Sequence, residues 1–201
     1  MVMQKLRMAT QLLHVAVELR LDLLRDNYKL PEYCELLELF GGFYWPLEDR
    51  LADTFATAVF DFDFARRRKA PFILEDLVRL GRDIPTLSGM NLCHQLPNVA
   101  SVPRALGSTY VLEGATLGGQ LLSKHFHQQL GVSAEKGGSF FLSYGDQVGP
   151  MWKAFGVVLT GYADLHPSDQ DEIVDAAVET FQCLLDWADV RLAQTTPRAN
   201  T

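Results

Sequence analysis

An all-α fold follows from three features of the sequence. Apolar residues return every three or four positions over several long stretches, no alternating run is long enough to build a sheet, and nothing repeats at a fixed period. With 201 residues, 48% of them hydrophobic and 21% charged, the chain can bury one substantial core. A single domain over 1–201 is expected, with residues from about 195 onward as a disordered tail.

The first helix is predicted from Lys5 to about Asp26, where Leu6, Leu13, Val17, Leu21 and Leu24 recur without an internal Gly or Pro. His14 lies on it with Thr10 one turn before and Glu18 one turn after, so the three share a face. An isolated helical histidine is more often a surface or satisfied core residue. A carboxylate one turn beyond it, however, accepts from one ring nitrogen, fixes the tautomer and leaves the other nitrogen for a metal.

A second helix is predicted from Tyr28 to Ala58, opened by Pro31 and bent by Gly41-Gly42 and Pro46, with Tyr33, Leu36, Leu37, Phe40, Phe43 and Tyr44 on its apolar side. The basic run Arg66 to Lys69 reads as a surface loop or helix end, with a docking patch as the alternative. A third helix should span Ile73 to Arg82. The stretch from Asp83 to Val102, which carries His94, is mostly loop on its prolines and glycines.

The most informative stretch is Ala105 to His127. Leu106, Tyr110, Leu117, Leu121 and Leu122 keep helical spacing, yet Gly114, Gly118 and Gly119 stand inside it, each costing about 1 kcal/mol relative to alanine. Glycines there strip one face bare, so that another helix or a planar ligand can approach the backbone, and they predict a bend. Glu113, Lys124 and His125 bracket an apolar run too short to span a bilayer. Two further helices are expected, Trp152 to Tyr162 and Ser168 to Ala193, the latter with Ser168 as N-cap and Asp169, Asp171 and Glu172 in its first turn.

Composition excludes several classes. Eighteen basic against twenty-five acidic residues give a net charge of −7, which disfavours nucleic acid as a partner. Cys34, Cys93 and Cys183 are too far apart for a zinc knuckle or disulfide framework, and no apolar run has signal-peptide or membrane-spanning length. A reducing, cytoplasmic setting without a membrane partner is expected. Nucleotide-loop, nucleophile-elbow and HExxH motifs are absent. His125 and His127, two apart and so roughly 200° around a helix, suit a solvated helix end rather than a metal site.

Taken in order, four pieces of the chain between about residues 5 and 160 resemble the heme oxygenase family. Leu6-Arg7, Ala9-Thr10, His14 and Glu18 resemble its proximal helix, and Phe43-Tyr44 with Pro46-Leu47-Glu48 resembles the next helix. The segment from Leu106-Gly107 through Tyr110-Val111 and Glu113-Gly114 to Leu117-Gly118-Gly119 is similar to its distal helix. Phe140-Phe141, Tyr144-Gly145 and Met151-Trp152 are similar to bacterial members, particularly those linked to bacteriophytochromes.

The resemblance implies a single-domain helical fold with heme between a proximal helix and a kinked distal helix. His14 would bind the iron, Glu18 would orient it, and Gly114, Gly118 and Gly119 would lie over the heme face. Arg7, with Tyr110 and Lys153 as weaker candidates, would meet the propionates. Thr10 lies beside them. Ala115 stands where mammalian-type members carry an aspartate, which leaves open the groups that order distal water. The implied products are biliverdin, carbon monoxide and ferrous iron, with electrons from a ferredoxin or an NADPH-dependent flavoprotein reductase, and the purpose is either bilin supply to a phytochrome, which the bacterial resemblance favours, or release of iron. A heme- or bilin-holding protein without ring opening, and an unrelated helical interaction protein, are the alternatives.

Overall fold

The computed structural model describes residues 1–83 and 89–195, so the expected tail lies outside the described residues apart from its first position. The chain is 76% helical, and the described residues contain no strand. Among the described residues seven α-helices follow in order: α1 (Val2–Leu21), α2 (Leu30–Thr57), α3 (Ala70–Arg79), α4 (Val102–Leu130), α5 (Ser139–Leu142), α6 (Val148–Leu165) and α7 (Gln170–Thr195). They form one all-α domain in which α4 and α1 both pack on α7, α2 packs on α3, and α5 and α6 lie against α4.

Helix α1 starts earlier and stops sooner than its periodicity predicts. Asp22 adopts the left-handed conformation (φ 44°) and its N–H closes on the Glu18 carbonyl, so Leu24 is outside the helix and half exposed. In α3 the start shifts back to Ala70, because the buried Glu48 carboxylate accepts from the N–H groups of Lys69 (2.7 Å) and Ala70 (3.1 Å). Asp76 does the same for α5, accepting from Ser139 (2.9 Å) and Phe140 (2.8 Å). Buried acids of one helix thus cap the next.

Pro46 does not break α2. Its missing N–H leaves the Gly42 carbonyl without its usual donor, and the Cys93 N–H supplies one at 2.8 Å. A side chain at Gly42 would collide with the Asn91 carbonyl and the Trp187 ring, which explains the glycine.

Helix α4 is capped by Ser101, ended by Gly131 (φ 70°), and runs as one helix through its four internal glycines, Gly107, Gly114, Gly118 and Gly119. At Ser168 the structure also differs: Pro167 opens a 3₁₀ turn, Pro167–Asp169, so Ser168 lies inside that turn and its hydroxyl meets Asp169 (3.1 Å) rather than capping α7. The expected Trp152 to Tyr162 helix extends at both ends, to Val148 and Leu165.

Candidate functional site

Between α1 and α4 lies a cavity of about 620 Å³, within the range of roughly 300–1,000 Å³ usual for small-molecule sites. Its lining is mainly apolar. Phe40, Phe43 and Tyr44 of α2, Phe140 and Phe141 of α5, and Phe181 and Leu184 of α7 contribute large side chains to it. These rings pack edge-on or tilted with centroids 4.9–6.4 Å apart where they touch one another, which gives a rigid wall.

Helix α1 contributes Arg7, Thr10, His14 and Glu18 to one wall. The Glu18 carboxylate stands 3.6 Å from His14 Nδ1, just outside hydrogen-bond range, and both side chains are more than half exposed (62% and 56%). The imidazole edge also meets the Phe181 ring, at a centroid distance of 6.0 Å. Thr10 is buried and donates to the Leu6 carbonyl (2.8 Å). Tyr110, across from it on α4, packs on Trp152, and burial pushes its phenol up against the opposing influence of the Thr10 hydroxyl and the Arg7 charge. Arg7, Thr10 and Tyr110 therefore share one part of the cavity. Lys153 does not join them; it is exposed and lies outside the cavity wall.

The opposite wall is α4, where Gly114, Ala115, Gly118 and Gly119 all line the space. Their roles differ. A Cβ built on Gly118 meets nothing within 4 Å, and one on Gly114 reaches only Trp152, at 3.8 Å. On Gly119 it would sit 2.7 Å from the Phe141 carbonyl oxygen, so this glycine admits the α5 backbone. Gly107 has the same duty toward α7, its Cβ falling 2.1 Å from the Ile173 carbonyl oxygen. Helix packing and an open face are both present, at different residues.

Sequence reasoning missed what stands behind α4. Glu113 is 1% exposed, not a polar bracket at the surface. It accepts from Arg67 (2.6 Å), Lys69 (2.5 Å) and the Tyr144 hydroxyl (2.7 Å), and Lys69 also donates to the Arg67 carbonyl and to Tyr144. The basic run is thus corrected: Arg66 and Arg68 keep a surface or partly exposed role, with Arg68 on Asp49, while Arg67 and Lys69 turn inward. Desolvation holds the Lys69 ammonium below its ordinary value, opposed by Glu113, and raises the Tyr144 phenol. Lys69 reaches the cavity lining, as does Ser143, whose backbone is left-handed (φ 52°) and whose buried hydroxyl has no partner among the described residues. A carboxylate inside an apolar helical run needs a buried cation. That was the available signal.

His125 and His127 stand apart from the cavity, bonded to the carbonyls of Arg25 (3.1 Å) and Val132 (2.9 Å), and the described residues contain no cluster of three or more metal-ligating side chains. The family model for heme oxygenases matches residues 1–189. The chain belongs to the heme oxygenase family. Membership implies heme as ligand and an oxidoreductase as the class of protein. The cavity's lining fits such a ligand in kind: it is mainly apolar and includes the His14 imidazole and the unobstructed backbone at Gly118. A comparison with curated proteins returns no match.

Proposed function

We propose that the protein is a heme oxygenase that opens the heme ring to biliverdin, carbon monoxide and ferrous iron, drawing electrons from a ferredoxin or an NADPH-dependent flavoprotein reductase. The observation that supports it best is the opposition of His14 to the side-chain-free face at Gly114 and Gly118 across an apolar cavity. Bound heme supplies the iron that activates dioxygen and the ring that is oxidised. His14 would hold the iron, and Glu18, 3.6 Å from Nδ1, would favour the proton on that nitrogen and leave the other ring nitrogen for the metal. Imidazole ligation avoids the strong electron push of a thiolate, which suits oxidation of the ring itself. Arg7 neutralises propionate charge, with Thr10 and Tyr110 beside it.

With no acid at Ala115, hydrogen bonding to a ligand on that side would fall to the Ser143 hydroxyl and to ordered water near Lys69. The apolar wall excludes bulk water. Resemblance to the phytochrome-linked branch favours chromophore supply over iron release, in the cytoplasm; no helix among the described residues is long and apolar enough to cross a membrane. Incubating the protein with hemin, reductase and oxygen tests the proposal: the Soret band should disappear as a biliverdin spectrum grows. A second reading, storage of heme or a bilin without cleavage, draws on Ala115, and a Soret band that persists through repeated reduction would select it.

A further inference from the structure

Helix α1 is apolar on two opposite faces. Leu6, Leu13, Val17 and Leu21 turn inward, whereas Met8, Leu12, Val15 and Leu19 turn outward at 70%, 83%, 44% and 77% exposure. Single exposed apolar residues are ordinary, but four in one line on one helix form a stripe. Their spacings alternate four, three and four residues, as the a and d positions of a heptad seam do.

The seam extended by one step at each end reaches Lys5 and Asp22. The series 5, 8, 12, 15, 19, 22 reads the same in both directions about its centre. Two copies of α1 laid antiparallel across a twofold axis therefore set Leu12 on Val15 of the other copy and Met8 on Leu19. Lys5 then meets Asp22 at both ends. A parallel pairing would instead oppose lysine to lysine and aspartate to aspartate. Lys5 already holds Asp171 of its own chain at 3.4 Å, so in the antiparallel pair it stands between two carboxylates.

From this we infer that the outward face of α1 is an isologous interface, and that its partner is a second copy of this chain packed antiparallel. The inference does not depend on what the cavity binds. Its consequence does touch the cavity, because Val15 belongs both to the stripe and to the lining beside His14; pairing would order the helix that carries the histidine.

Sedimentation equilibrium of the full chain over a hundredfold concentration range tests it. The expected species has twice the 22.5 kDa of one chain. Leu12→Glu, which appears twice in a symmetric interface, should raise the dimer dissociation constant by at least about a hundredfold while helical circular dichroism and the melting temperature of the monomer stay unchanged. Lys5→Glu should weaken pairing, and Lys5→Glu with Asp22→Lys should restore it. A chain that is monomeric throughout, even if lipid vesicles or a reductase cover the stripe instead, overturns the inference. So does a dimer indifferent to Leu12→Glu, or one that the paired charge exchange fails to restore.

Discussion

On α1 the polar side chains that reach the cavity, Arg7, His14 and Glu18, are exposed and loosely held, the His14–Glu18 contact being 3.6 Å between two half-solvated groups. Behind α4, by contrast, Glu113, Arg67 and Lys69 are sealed from water and joined by contacts of 2.5–2.6 Å. Exposed pairs contribute about 0–1 kcal/mol and readjust easily, whereas a broken buried pair leaves a charge without solvent or partner. The α4 wall is thus fixed by the fold itself, and the α1 side chains are free to settle on a ligand.

The sharpest way to break this contrast is Glu113→Ala. It strands two buried cations and should cost about 3–5 kcal/mol, read as a lower urea midpoint; a loss below about 1 kcal/mol would mean that the cluster does not hold the wall. The equivalent proximal change, Glu18→Ala, should leave stability nearly untouched.

Next in size are the adjacent glycines. Gly119→Ala drives a methyl into the Phe141 carbonyl and should destabilise by about 1–3 kcal/mol. Gly118→Ala meets open space and removes a helix penalty, so the ligand-free protein should gain up to about 1 kcal/mol. Gly118→Leu should fold equally well yet block hemin or change which bilin isomer forms. Thermal melts with and without hemin separate the two positions; changes of the same sign at both would contradict the assignment.

Much of the site was legible because it is local in sequence. The one-turn spacing of Thr10, His14 and Glu18 puts them on one face, and glycines inside an apolar helix announce a close approach. What local spacing leaves open is which approach each glycine serves, since Gly118 and Gly119 differ only in the position of α5, about twenty residues on. The Glu113 cluster was hidden for the same reason: Arg67 and Lys69 reach it only because a 3₁₀ turn (Ala65–Arg67) and the Glu48 cap fold that segment behind α4. Helix ends were misjudged where a single residue, Asp22 or Pro167, switches backbone conformation without disturbing the apolar period.

A smaller, pH-dependent effect sharpens the same comparison. Burial raises the Glu48 carboxyl above its ordinary value of 4.5, against the Lys69 and Ala70 N–H groups that lower it. The folded state therefore binds this proton more tightly than the unfolded chain does. The resulting stabilisation is complete below about 4.5 and is lost as pH rises through the raised value. Relative to Glu48→Gln, the wild type should gain in melting temperature as pH falls from neutral toward 4.5. A gain in the other direction would show that the cap, not desolvation, controls the group.

The most direct test of the central claim is a hemin titration of His14→Ala at the Soret band, in the absence and presence of free imidazole. His14 is exposed, so the variant should fold as the wild type does and should still take up hemin in its apolar slot, but with an altered spectrum that added imidazole returns to the wild-type form. A spectrum already identical to wild type without imidazole would place the iron ligand elsewhere.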